Sequence, residues 1–200
     1  FRGCTILEGM PSTGMKFILS TDPSAKIQSE ADGTFLCIST FEGCEALNSN
    51  IEGWGESLLK CTSMNSMFKN ANLGKPWLGK WRPDNVTDMT SMFEGSNFNH
   101  ASIGKWGEKN QPTRIANVAS MANMFKDCPF DQYLAWWFRD SIHSVKNMSG
   151  MFSGTSEFGK GAPKGADKIF HWKMYGVEDV SDMFRDNQWF DGWLAGWFHR

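Results

Sequence analysis

Two hundred residues with 40% apolar content and 14% aromatics are enough to bury one substantial core. Lys and Arg number 20 against 22 Asp and Glu, a formal net charge of −2, so no basic stripe points to nucleic acid. No run approaches the roughly 20 apolar residues of a membrane-spanning helix, and the densest cluster is only Trp136, Trp137 and Phe138.

The sequence opens at Phe1 with no initiator Met and no signal peptide, as in a mature product after cleavage or in a fragment. Residues 1–36 are expected to form a capping segment. Met15, Lys16, Phe17, Ile18, Leu19 and Ser20 read as one strand, and Phe35, Leu36, Cys37 and Ile38 as another. The polar tract 21–33 between them, with Asp22-Pro23 and Asp32-Gly33 as turn signals, makes a β-hairpin the simplest reading.

From residue 37 onward the chain repeats. Met-Phe recurs as Met67-Phe68, Met92-Phe93, Met124-Phe125, Met151-Phe152 and Met183-Phe184, with a degenerate copy at Thr40-Phe41. Four residues before each Phe of the Met-Phe copies stand Met64, Met89, Met121, Met148 and Val180, and seven before stand Cys61, Val86, Val118, Val145 and Val177. Thirteen residues after the Phe come Trp54, Trp81, Trp106, Phe138 and Trp197; ten after come Ile51, Leu78, Ile103, Ala135 and Leu194. Five after, four copies carry Leu73, Phe98, Phe130 and Trp189. In the Phe152 copy, Ile169 and Trp172 rejoin the last two long columns if seven residues are inserted within 159–168. Internal periods of this length are the signature of stacked repeat architectures.

Within a repeat, apolar residues at −7, −4, −1 and 0 predict one face of a short helix of about two turns. Asp88 and Asp179 are placed to cap its start, and Gly43, Gly95 and Gly154 to end it where positive φ is needed. The segment ending at the Trp, such as Ser102 to Trp106, predicts a short parallel strand. The expected fold is therefore α/β: a leucine-rich-repeat-like solenoid of about six coils over residues 37–200, each a short helix plus a short parallel strand, with an N-terminal β cap. Trp197 completes a repeat three residues before the sequence stops without a polar cap. Either more coils follow or a partner covers that end, and truncation is the favoured expectation.

The stretch Val86, Thr87, Asp88, Met89, Thr90, Ser91, Met92, Phe93, Glu94, Gly95, followed by Phe98, Asn99, Ile103, Gly104, Lys105 and Trp106, resembles the repeat of the BspA-like leucine-rich-repeat surface proteins in its mycoplasma-lipoprotein, Met-Phe form. The resemblance covers roughly residues 37–197. It implies a leucine-rich-repeat solenoid at the cell surface, concerned with adhesion and protein contacts rather than catalysis. The chain departs from the pattern in its many tryptophans, its seven-residue expansions and its unmatched residues 1–36.

Two insertions, 107–115 and 159–168, are read as solvated loops; the second, though rich in Gly and Lys, lacks the Gly-Lys-Ser/Thr ending of a phosphate loop. Cys4, Cys37, Cys44, Cys61 and Cys128 form no Cys-x-x-Cys pair. They are read as buried or free thiols, with disulfides among the first four as the alternative in a secreted chain. His100, His143, His171 and His199 share no metal-ligand spacing, and no hydrolase, zinc or calcium motif occurs. No enzyme, cofactor or metal is expected. Asn85 and Asn147 match the glycosylation pattern. The Trp column is read as core. Trp77, Trp136, Trp137 and Trp193, outside the shared columns, are the candidates for exposed contact, with His171 beside them.

The expected function is a protein-interaction or scaffolding module, as a surface adhesin or an accessory subunit, with a protein as partner and no nucleic acid. The alternative is a surface protein that binds glycans by stacking sugar rings on exposed Trp. The expected location is extracellular or at the cell surface, with membrane association through a partner or a separate anchor.

Overall fold

A computed structural model describes residues 28–29, 34–47, 50–55, 58–74, 76–107, 113–138, 144–160, 168–169, 171–192, 194 and 196–197. Their geometry follows from two backbone positions in each repeat. Two residues before each Phe, Ser39, Ser66, Ser91, Asn123, Gly150 and Asp182 all have positive φ, between 50° and 61°. Two residues after it, Gly43, Asn70, Gly95, Asp127, Gly154 and Asp186 do the same. A left-handed residue at every fourth position forbids a continuous right-handed helix.

The segment instead runs as overlapping turns. In the Phe68 copy, Met67 N–H returns to Met64 O, Lys69 to Ser66 and Ala71 to Phe68, at 3.0–3.2 Å. The alternate amides leave the copy altogether. Met64, Ser66, Phe68 and Asn70 donate to the carbonyls of Asp88, Thr90, Met92 and Glu94 in the next copy, at 2.8–2.9 Å. The same four-bond junction joins each of the first five copies to the one after it, from Cys37 on Ser63 through to Gly154 on Arg185. Holding Ser or Asn left-handed costs about 1–2 kcal/mol per residue, and four bonds per junction at about 1 kcal/mol net each offset it.

In the five Met-Phe copies the residue five before the Phe starts this segment, and its side chain accepts the amide two residues on. Asp88 Oδ1 takes Thr90 N–H at 2.9 Å, Asn147 Oδ1 takes Ser149 at 2.8 Å and Asp179 Oδ1 takes Ser181 at 2.9 Å. Short polar side chains are favoured here because they close this local turn. The same residues form the column of parallel bridges Ser63, Asp88, Ser120, Asn147 and Asp179.

The expected fold class is therefore overturned. Among the described residues no α-helix occurs, and the regular elements are β1 (Gln28–Ser29), β2 (Phe35–Leu36), β3 (Cys61–Ser63) and 3-10 helices at Glu52–Trp54 and Ala101–Gly107. A leucine-rich-repeat-like solenoid of about six helix-plus-strand coils is not formed. The two halves of the repeat were assigned the wrong way round: the predicted helix carries the parallel bridges, and the predicted strand carries the 3-10 turns. Apolar spacing of three fits a turn closed between i and i+3 as well as it fits a helix, and the polar residues at −2 and +2 decide between them.

Three columns of aromatic side chains run through the core. Phe41, Phe68, Phe93, Phe125, Phe152 and Phe184 stack with centroids 5.5–5.7 Å apart and planes within 9°. Beside them Phe98, Phe130, Phe158 and Phe190 stack at 5.9–6.2 Å. This second column continues through Phe190, not through Trp189, which is exposed. Trp54, Trp81, Trp106, Trp137, Trp172 and Trp197 form the third column, with stacked pairs at 5.9–6.1 Å. Trp137 rather than Phe138 occupies it, and Leu134 rather than Ala135 stands three residues before it. Phe138 instead meets Trp137 and Trp172 edge-on. Ile169 and Trp172 do rejoin their columns after the insertion.

At the N-terminal end β1 pairs antiparallel with β2, Gln28 opposite Leu36 and Ser29 opposite Phe35, and β2 runs parallel to β3. The antiparallel partner of β2 thus comes from the tract read as a polar connection. Met15 to Ser20, and Cys4, lie outside the described residues. Cys37, Cys61 and Cys128 are buried free thiols, and Cys44 is buried as well.

Candidate functional site

In the 3-10 segments, residues 0 and −3 relative to the column Trp face inward, as Trp106 and Ile103 do. Side chains three apart nearly eclipse in such a helix, so −1 and −4 form a second row, which faces outward except at the buried Ser102. The −1 position is Lys80, Lys105, Trp136 and His171; the −4 position is Trp77, Ser102, Tyr133 and Lys168. Trp77 is 39% exposed and Tyr133 49%.

Neighbouring copies touch along this face. The Lys105 ammonium lies 6.0 Å from the centre of the Trp77 ring, within cation–π range. His100 meets the same ring at 5.3 Å, tilted 64°, and its Nδ1 accepts the Ser102 amide at 3.1 Å. Gly79 makes room: a Cβ there would stand 3.0 Å from Lys105 Cδ and 3.2 Å from Trp77 Nε1. Further along, Trp136 and His171 stack at 5.1 Å and 21°. Lys80 is held by Glu52 at 2.8 Å.

Of the sequence-predicted contact residues, the structure brings Trp136 and His171 into direct contact and leaves Trp77 open on the same face. Trp137 is corrected. It is 1% exposed, and its indole N–H donates to Ile103 O at 3.1 Å. One residue of register decided this: Trp137 and its neighbour Phe138 are both large and aromatic, and the column takes the one that can donate. Trp193 lies outside the described residues. Sequence reasoning missed Tyr133, Lys105 and His100, whose signal is their distance from the column Trp or from each other's copies. It also missed Trp189, exposed with Lys160 5.7 Å over its ring.

A concavity of about 370 Å³ crosses three copies on the turn segments, lined by Asn123, Lys126, Asp127, Asp182, Arg185 and Asp186 among others. Charges of both signs alternate around it. Among the described residues no group of three His, Cys, Asp or Glu is placed to hold a metal ion. The Cys37 and Cys128 thiols are poor nucleophiles as they stand. Burial pushes Cys128 up to about 12, and the Cys61 thiol together with burial raises Cys37 well above its ordinary value. Asn85 and Asn147, the glycosylation candidates, are engaged through their side chains with Leu59 O and Ser149.

Laterally bonded copies around three side-chain columns, with one aromatic and cationic face, define a tandem-repeat protein whose outward positions are set by the repeat. Residues 36–163 and 112–199 match the family described as "Mycoplasma protein of unknown function, DUF285". The chain belongs to this family. The finer kinship with BspA-like leucine-rich-repeat proteins is not part of that match, and no curated protein or solved structure matches the chain. Among the described residues no helix is long and apolar enough to cross a membrane.

Proposed function

We propose that this protein is a non-catalytic recognition module that docks a partner protein at the cell surface, as an adhesin-like or accessory component. One observation carries the reading: the outward −4 and −1 positions gather Trp77, Lys105, Tyr133, Trp136 and His171 on a single face. Trp, Tyr and cationic side chains are the types that dominate binding energy at protein interfaces. The Ser102 hydroxyl, 2.9 Å from His100 Nδ1, is buried and accepts the Leu78 amide at 2.9 Å, so it links two copies instead of facing solvent as a nucleophile, which supports a binding role over a catalytic one.

A second reading, glycan binding, is favoured by one detail. Trp77 has His100 and Lys105 as polar neighbours rather than a wide apolar surround. An exposed indole with hydrogen-bonding groups beside it suits a sugar ring.

The test is cross-linking of the intact protein on living source cells, compared with a Trp77→Ala, Tyr133→Ala, Trp136→Ala variant, alongside a glycan array. A stoichiometric protein partner lost in the variant supports docking. Glycan binding lost in the variant moves the assignment to the second reading. Equal behaviour of variant and parent in both assays removes this face from the function, and protection from surface labelling in intact cells removes the location.

A further inference from the structure

We infer, building on the docking reading above, that the donors gathered around Gly79 form a carboxylate site and that the segment it takes is an acidic peptide.

Gly79 stands two residues before Trp81 and carries no side chain. The place its Cβ would take is bounded by Lys105 Cδ at 3.0 Å and by Trp77 Nε1 at 3.2 Å. Its carbonyl accepts from Arg114 Nη1 at 3.0 Å, and the same nitrogen donates to Trp81 O at 2.8 Å. An indole N–H, a lysine stem and a guanidinium, far apart in the sequence, thus meet at one glycine.

Each of the three still has hydrogens to offer. Trp77 Nε1 and the Lys105 ammonium have no acceptor among the described residues; the ammonium lies only against the indole, 6.0 Å from the ring centre. Arg114 uses Nη1 for both carbonyls, so the Nε–Nη2 edge of its fork donates to none of the described residues. Such an edge pairs with a carboxylate through two parallel bonds. His100 adds to the set. Ser102 N–H donates to its Nδ1 at 3.1 Å, which puts the proton of the neutral imidazole on Nε2, and the ring lies 5.3 Å from that of Trp77.

The charge is unbalanced in the same direction. Glu52 holds Lys80 at 2.8 Å and Asp84 holds Arg82 at 3.0 Å, whereas Lys105 and Arg114 have no acidic partner among the described residues. A neutral sugar brings hydroxyls that donate as well as accept, and the two carbonyls here, Gly79 O and Trp81 O, already hold Arg114. A carboxylate only accepts. Lys105 and His100 also lie against the Trp77 ring, which leaves less of it for an acidic sugar to stack on. A flexible Asp or Glu side chain reaches the same donors end-on, and exposed Trp77 and Tyr133 offer apolar surface to the peptide that bears it.

The probe is a capped tetraglutamate peptide titrated into the intact protein, followed by the indole N–H resonance of Trp77 and the Nε–H resonance of Arg114. Both should shift, and Lys105→Gln should weaken binding about fivefold or more. Lys80→Gln, which removes a lysine already held by Glu52, should change the affinity less than about twofold. Capped tetraglutamine should move neither resonance, and tetragalacturonate, of the same charge, should bind more weakly than the peptide. Unmoved resonances, equal shifts with tetraglutamine, equal losses in K80Q and K105Q, or tighter binding of tetragalacturonate would each overturn the assignment. Cross-linking on source cells separates it from the docking reading. A partner lost from both K105Q and the triple alanine variant supports the carboxylate site. A partner kept by K105Q and lost from the triple variant ends the carboxylate site alone, and one kept by both ends the docking reading with it.

Discussion

The indole N–H of Trp106 donates to the carbonyl of Leu78 in the preceding copy at 3.0 Å. Trp81 does the same to Ile51 at 2.7 Å, Trp137 to Ile103 at 3.1 Å and Trp172 to Leu134 at 2.8 Å. Each acceptor lies three residues before the Trp of its own copy, so the bond fixes how far one copy slides over the next. Phenylalanine would leave part of the indole volume empty and would offer no donor to the neighbouring copy.

Trp106→Phe is accordingly expected to destabilise the fold by about 1–3 kcal/mol, combining the lost indole bond with lost volume, while Leu78 O keeps the Trp81 amide as its other donor. The same change at exposed Trp77 should stay within about 0.5 kcal/mol. Denaturant unfolding of the two variants measures the contrast, and similar losses at both positions would contradict the role assigned to the indole bond.

Much of the side-chain pattern was legible in the sequence, and the backbone was not. The Met column at −4 and the Phe column at 0 are core as their recurrence implies, because a stack places like side chains over like. The glycines at +2 were correctly assigned positive φ. Read as helix stops, however, they were taken as the end of an element when they are the second of two left-handed residues. The first sits at −2 on Ser, Asn, Asp and Gly, and no single residue type announces it. Likewise, nothing in the adjacent Trp136, Trp137 and Phe138 says which one enters the column. That depends on Leu134 being three residues before Trp137, a relationship visible only once the Ile51, Leu78, Ile103 spacing is matched to the indole acceptors. The contact face follows from the 3-10 geometry of the Trp segment, so assigning that segment as a strand hid it.

The stacked Asx and Gly residues at +2 give a test of how copies fit together. Gly95 has φ +65°, and a Cβ there would strike Asn70 Oδ1. Gly95→Ala should cost about 1–2 kcal/mol for the left-handed backbone alone, with a further loss from the collision. Asn70→Gly should recover the collision part and leave the backbone part. A double-mutant cycle read by thermal or denaturant unfolding reports this as a coupling energy of about 0.5 kcal/mol or more. Strict additivity would mean that Asn70 swings aside freely and that the alternation is not steric.

The buried thiols predict a redox-inert interior. Cys128 donates to Phe98 O at 2.9 Å and Cys61 to Ser63 O at 3.1 Å. With Cys128 raised to about 12 and Cys37 raised as well, almost no thiolate forms at these two near neutrality, and Cys61 is fully buried. Alkylation of the native protein by iodoacetamide at pH 8, mapped by peptide mass, should therefore leave Cys37, Cys61 and Cys128 unmodified on a timescale that fully labels them in denaturant. Rapid native labelling at any of the three would show that the stack opens locally around it.

Glu94 supplies the pH dependence. Burial by itself would raise its carboxyl, but the Ser91 hydroxyl and the Lys69 ammonium, 3.0 Å away, outweigh that and leave it below its ordinary value of 4.5. A carboxyl lowered in the folded state contributes stability that is present above the unfolded value and disappears as pH falls through the folded one. The stability gap between the parent protein and Glu94→Gln should thus hold from pH 7 to about 5 and close towards pH 3. Since the pair is partly solvated, with 31% and 17% of the two side chains exposed, the gap should be no more than about 1 kcal/mol, and high salt should shrink it. Denaturant unfolding of both proteins at pH 7, 5 and 3 checks the sign. A gap that widens on acidification would mean that burial, not Lys69, governs this carboxylate, and that the Lys69–Glu94 contact between successive copies does not stabilise the stack.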